Sequence, residues 1–158
     1  MLVRGVLVVV VLVAAMSLGL WWRARNGRFV ATRTGAADVG AGHGSHDGPD
    51  DVRVTAEEIG APLGDGLTFL QLSSEVCAPC RRTAAVLADL AAQRPDLTHV
   101  EIDAADHLDL VRRLNVLRTP TVLLLDSRGT VLGRMSGGTT RAQALDALDA
   151  CPGAVGGR

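Results

Sequence analysis

The sequence has no lysine and no tyrosine. All 16 basic residues are arginine, and the aromatic fraction is 3%. With so few rings, a core must be packed from Leu, Val and Ala. The arginine bias fits a GC-rich coding sequence as well as any physical need, so no function follows from it. A surplus of charge is also missing. Seventeen acidic residues against 16 basic ones leave a formal net charge of -1, which gives no electrostatic ground for a nucleic-acid partner. Cysteine is scarce: Cys77, Cys80 and Cys151 are too few for a disulfide-built scaffold. No internal repeat is present. At 158 residues the chain has room for one domain plus appendages.

One of those appendages is apolar. After a short tail at 1–4, residues 5–22 (GVLVVVVLVAAMSLGLWW) carry no charge. As a helix rising about 1.5 Å per residue they would span roughly 27 Å, close to a bilayer's hydrocarbon thickness. Trp21 and Trp22 close the run as an interfacial pair, and Arg23, Arg25 and Arg28 follow. A cleaved secretory signal is the competing reading. Its n-region would hold only Arg4, and no clean small-x-small cleavage site follows. An uncleaved single-pass anchor is therefore expected. The arginines after the run outnumber those before it, so the positive-inside bias places the C-terminal side in the cytoplasm, the extracytoplasmic side being the alternative.

Residues 23–53 read as a juxtamembrane linker, with a Gly-, Ala- and Asp-rich stretch at 31–52 that lacks periodicity. His43 and His46 lie in it; two histidines in such a run bind metal loosely without further ligands. The globular part is expected at 54–151, with a tail at 152–158. Thr55 and Glu58 form a capping-box pattern for a short helix. Apolar strands are expected at Leu67–Ser73, Leu97–Asp103 and Thr121–Asp126, with Thr130–Met135 returning as a hairpin partner. Helical spacing follows Cys80 as far as Pro95, then recurs at Asp106–Leu114 and Thr140–Ala150. Strands that alternate with helices and end in a hairpin imply an α/β fold, a mixed central sheet flanked by helices.

Cys77-Ala78-Pro79-Cys80 falls where a strand hands over to a helix. A thiolate is the reactive form of cysteine, and a helix N-terminus with its free N–H groups favours negative charge. Cys80 lies one turn beyond Cys77 on the same face, and Pro79 sits where its missing N–H costs little. Arg81 and Arg82 add positive charge; Glu75 acts in the opposite direction. Three readings remain at this point. Half a zinc site needs two further ligands, and only Cys151 and four scattered histidines remain. A structural disulfide closing so short a loop stabilises little. A redox dithiol near a βαβ pattern accounts for the spacing best.

A second element narrows the choice. Arg118-Thr119-Pro120-Thr121 precedes the TVLLLD strand, about 40 residues beyond Cys80. Together with Cys77–Arg81, Ile102-Asp103, Gly129 and the pair Gly137-Gly138, these residues make the chain resemble the thioredoxin family over roughly 54–150. The resemblance implies a thioredoxin-like fold and a protein disulfide oxidoreductase. Cys77 is then the nucleophile, Cys80 the resolving thiol, and the two form a redox-active disulfide. Ala78, Pro79, Arg118, Thr119 and Pro120 would shape the substrate surface. Pro120 would be cis, its Thr119 backbone pairing with an extended substrate chain. The implied partners are protein disulfide substrates and a thiol reductase or membrane electron donor. No cofactor and no metal is implied.

The chain departs from that family in three places. Val76 stands where a Trp usually precedes the first Cys. Gln71 stands at the usual buried Asp, with His99 at the place of its Lys partner. Since Gln cannot take up a proton, the acid's role in deprotonating Cys80 is vacant or moved, to water or to Glu75, and slower resolution is expected. Cys151 ends the last helix; a lone Cys there is more often packed than functional. Ala78 and Pro79 resemble the reducing members of the family, while an oxidase or isomerase, or a Cu(I) carrier holding metal between the two thiols, remains an alternative.

Overall fold

A computed structural model of the protein describes residues 2–25, 28–31 and 52–151. Ten elements follow in order: α1 (Leu2–Arg25), β1 (Phe29–Ala31), α2 (Ala56–Ile59), β2 (Leu67–Ser73), α3 (Ala78–Gln93), β3 (Leu97–Asp103), α4 (Leu108–Arg113), β4 (Thr121–Leu125), β5 (Val131–Ser136) and α5 (Arg141–Asp149). The five strands form one mixed sheet in the order β1-β5-β4-β2-β3. β2 runs parallel to β3 and antiparallel to β4, and β4 and β1 each run antiparallel to β5. This is the expected α/β architecture.

The core is divided by the sheet, and alternation along the strands decides which residue faces which layer. Leu70 and Leu72 of β2, with Val100, Ile102, Leu123 and Leu125, pack against Ile59, Leu110 and Leu114 on the side of α2 and α4. Leu67 and Phe69 of β2, with Leu97, Val122 and Leu124, pack against Leu87, Leu90, Ala144 and Leu148 on the side of α3 and α5. β2 is buried along its whole length, as a strand covered on both faces should be. Its sixth-from-cysteine residue, Gln71, lies on the α3 side with no exposed surface, a polar group inside an apolar layer.

Local signals set the element ends. α2 carries the anticipated capping box, in which Glu58 N donates to Thr55 Oγ1 and Thr55 N donates to the Glu58 carboxylate. α5 has a second, between Thr140 and Gln143. In the β4–β5 turn, Asp126 Oδ1 accepts from Arg128 N and Thr130 N. Gly129 completes that turn at φ 81°.

One expectation about the N-terminal part changes. Phe29–Ala31, assigned to the linker, forms an edge strand on β5. Three residues are too few for a period-2 pattern to register, and the pairing depends on Gly133, where any Cβ would collide with the Phe29 ring. Residues 5–22, expected as an anchor, lie within α1. Among the described residues no helix is long and apolar enough to cross a membrane. His43, His46 and the tail at 152–158 lie outside the described residues.

Two glycines at positive φ separate steric from conformational cost. A Cβ at Gly129 would collide with the Val54 carbonyl oxygen, which accepts no such approach because Val54 N itself donates to Gly129 O at 2.9 Å. Around Gly60, at φ 64°, there is open space. Gly129→Ala is expected to lower unfolding free energy by more than about 2 kcal/mol, and Gly60→Ala by about 1 kcal/mol. Denaturant melts of the two variants check this; equal losses would contradict the packing assigned to the turn.

Candidate active site

β2 ends at Ser73, and four residues later the chain enters α3. Cys77 is the N-cap of that helix, and its Sγ accepts a hydrogen bond from Cys80 N at 3.1 Å. The first turn holds Pro79 and no acidic side chain, so the positive end of the helix faces the sulfur undiminished. Cys77 and Cys80 are joined as a disulfide with Cα atoms 5.2 Å apart. Cys77 is 8% exposed and Cys80 2%, so the first cysteine is the more accessible of the two. Ala78, Pro79, Arg81 and Arg82 are exposed around it.

The second expected element meets the first. The Thr119–Pro120 peptide is cis. Ser74, just past β2, shares a hydrogen bond of 3.1 Å between its Oγ and Thr119 Oγ1. Thr121 Oγ1 donates to Arg118 O at 2.8 Å, and Gly137 N donates to Pro120 O at 2.8 Å. The proline loop is thus tied to the cysteine loop and to the chain leaving β5. Thr83 Oγ1 on α3 accepts from Thr139 N, which fastens that exit to the redox helix. Pro120 is buried, Thr119 half-buried, and Arg118 exposed. Val76 is 97% exposed and Leu117 85%, large apolar side chains standing in solvent on the two loops that the Ser74–Thr119 bond joins. Val76 thereby supplies apolar surface where the family's usual Trp is absent.

The departure at Gln71 resolves into a polar cluster beneath Cys80. Gln71 Nε2 donates to Ser73 Oγ at 2.8 Å, to Cys80 O at 3.0 Å and to Glu101 Oε1 at 3.0 Å. Ser73 Oγ donates to the same Glu101 oxygen at 2.5 Å. Glu75, expected as one stand-in for the missing acid, is exposed and makes no hydrogen bond to this cluster among the described residues. The carboxylate that is there is Glu101, which sequence reasoning missed. A signal existed: β2 and β3 are seven-residue parallel strands, and aligning their starts (Leu67 with Leu97) places Gln71 directly opposite Glu101.

His99 and Cys151 fall outside the chemistry. His99 lies on the same face of β3 as Glu101, half-buried, its Nε2 without a hydrogen-bond partner. Burial holds its pKa below the ordinary 6.5, against an opposing pull from Glu101. Cys151 is half-buried beside the α3–α5 layer, and burial pushes its thiol pKa up. No group of three or more His, Cys, Asp or Glu side chains is placed to hold a metal ion among the described residues.

His99 makes the fold sensitive to acid. Its folded pKa is depressed, so the unfolded chain binds the proton first as pH falls below 6.5. Stability is then complete above that pH and declines below it. His99→Gln is expected to flatten the decline between about pH 7.5 and pH 5.5, read as denaturation midpoints. An unchanged slope in the variant would assign the acid sensitivity elsewhere.

Comparison with known proteins agrees with this geometry. The family model for thioredoxin matches residues 56–150. A curated relative, thioredoxin H5 of Oryza sativa subsp. japonica, is 34% identical over 56 residues, covering 35% of this chain and 42% of its own length. The chain therefore spans less than half of that relative. Among solved structures, a thioredoxin from Trypanosoma brucei brucei superposes with TM-score 0.52 at 22% identity, covering 64% of this chain and 88% of the other. Thioredoxin NaTrxh from Nicotiana alata gives TM-score 0.49 at 23% identity, covering 54% and 73%. The family match over most of the folded part, with its paired cysteines at the start of α3, shows that this chain belongs to the thioredoxin family.

Proposed function

We propose that the protein is a thiol–disulfide oxidoreductase that reduces disulfides in other proteins. The observation that carries this reading is the Cys77–Cys80 disulfide at the N-terminus of α3, fastened through Ser74 and Thr119 to the loop of Pro120. In the reduced enzyme the Cys77 thiolate, held by the Cys80 N–H and the helix end, attacks one sulfur of a substrate disulfide. The other substrate sulfur leaves as a thiolate and takes a proton from water. Cys80 then loses its proton and attacks Cys77 Sγ, forming the intramolecular disulfide and releasing the first substrate sulfur as a thiol. Two electrons pass from enzyme to substrate, and a thiol reductase or membrane electron donor must return them. The exposed Val76 and Leu117 offer an apolar surface to the substrate chain beside the reacting sulfur.

Trapping tests the assignment of the two sulfurs. Cys80→Ser should accumulate a mixed disulfide on Cys77 with a reduced-and-reoxidised protein such as insulin, whereas Cys77→Ser should form none and lose all catalysed insulin reduction. Adducts on Cys80 or Cys151 in place of Cys77 would overturn it.

The reading includes a location. Supporting it are the uncharged run at 5–22, the helix that covers it, and the arginines at 23, 25, 28 and 33. These support a single-pass anchor with the folded domain on the cytoplasmic side. The full chain should sediment with membranes and resist alkaline carbonate. Release by carbonate would remove the anchor, and activity of a C-terminal reporter that matures only after export would reverse the orientation.

A further inference from the structure

The two edges of the sheet are built differently. β1 gives three residues to one edge, whereas β3 gives the other edge seven, paired with β2 in an unbroken register. A short strand, a bulge or a proline usually keeps a further strand off an edge, and β3 itself has none of these. Leu67 N donates to Asp96 O and Ala104 N donates to Ser73 O, each at 2.9 Å. In a parallel ladder this turns the backbone groups of the even-numbered residues of β3 towards β2, and those of Leu97, His99, Glu101 and Asp103 outwards. Two outward groups are engaged within the chain: Leu97 N donates to Arg94 O at 3.1 Å, and Asp103 O accepts from Asp106 N at 3.3 Å. The others have no hydrogen-bond partner among the described residues. They are the N–H groups of His99, Glu101 and Asp103 and the C=O groups of Leu97, His99 and Glu101.

We propose that two copies of this chain pair antiparallel along β3, about a twofold axis at Val100, and continue one sheet through both. With Val100 opposite itself, His99 stands opposite Glu101 and Leu97 opposite Asp103. Each free N–H then meets a free C=O of the other copy: His99 N meets Glu101 O, Glu101 N meets His99 O, and Asp103 N meets Leu97 O. The two engaged groups, Leu97 N and Asp103 O, face each other, so no free group is left over. Moving the axis to His99 or to Glu101 leaves outward groups without partners, and the second shift also sets Glu101 against Glu101. The side chains select the same register. His99 and Glu101 share a face of β3, so the seam on that face alternates imidazole and carboxylate, and a carboxylate accepts from an imidazole N–H. On the other face Thr98 meets Ile102. This match of the edge to itself is what identifies the occupant as a second copy. The backbone groups involved belong to β3 alone, so the pairing is independent of the oxidoreductase reading.

The full chain in detergent micelles is followed by residue-level amide hydrogen exchange. In concentrated protein we expect the amides of His99, Glu101 and Asp103 to be as protected as those of Thr98, Val100 and Ile102. On about hundredfold dilution the first set should lose protection, in step with a fall from dimer to monomer mass by light scattering, while the second set, held by β2, keeps it. His99→Glu places carboxylates opposite each other in both seam pairs and should weaken the dimer at least about tenfold. Mixed with Glu101→Arg chains, it should dimerise more tightly than either variant alone, since one seam pair becomes Glu–Arg and the other stays Glu–His. Outward amides that exchange freely at every concentration overturn the proposal. Protection that persists on dilution also overturns it, by placing a segment of the same chain on the edge. A dimer unweakened by His99→Glu does so too, because its interface lies elsewhere, as on α1. If a variant fails to fold, the exchange pattern of the unaltered chain decides alone.

Discussion

The hand-over from β2 to α3 is the constraint on which the rest of the molecule depends. β2 is central, buried on both faces, and hydrogen-bonded on both edges, so its end point is fixed by the whole sheet. Four residues later Cys77 caps α3, and the N–H of Cys80 points at its sulfur. A sulfur so placed meets oriented N–H groups and the positive end of a sixteen-residue helix, which stabilise a thiolate more than a thiol. The sheet supplies the rigidity, the helix the field, and the loop between them the access.

Rigidity is spread unevenly around the site. Apolar packing holds the two layers, but the loops that carry chemistry are fastened by single hydrogen bonds: Ser74 to Thr119, Gly137 to Pro120, and Thr139 to Thr83. Each contributes about 1 kcal/mol, little beside the burial of the leucines of β2 and β4, yet together they fix the relative position of the proline loop and Cys77. The polar insertion at Gln71 has a different logic. An unbonded amide in that layer would cost several kcal/mol, and three acceptors around Nε2 offset most of that. The arrangement ties the Cys80 carbonyl to the sheet and brings the Glu101 carboxylate into the same cluster.

Much of this was legible in the residues. The helix cap at Thr55, the strands β2 to β5 and the placement of Cys77 at a helix start follow from local patterns, because local physics determines them. β1 was not legible: three residues pair with β5 only because Gly133 leaves room for Phe29, a fact of tertiary packing. Helices α4 and α5 are shorter than their periodicity implied, since the end residues adopt cap geometry. Glu101 was hidden for a related reason. Its strand alternates as a half-exposed edge should, and nothing along β3 alone distinguishes a solvated glutamate from one whose oxygen turns inward. Only the register with Gln71 does that.

The direction of electron flow is the claim on which the proposed function turns. It is tested most directly by the reduction potential of the Cys77–Cys80 pair in the full chain, equilibrated against glutathione or dithiothreitol buffers and read by thiol alkylation. The account predicts a value near about -270 mV, that of a dithiol that gives up electrons to substrate disulfides. A value near about -120 mV would mark a strong oxidant, contradict the reductase assignment and favour the extracytoplasmic side of the membrane.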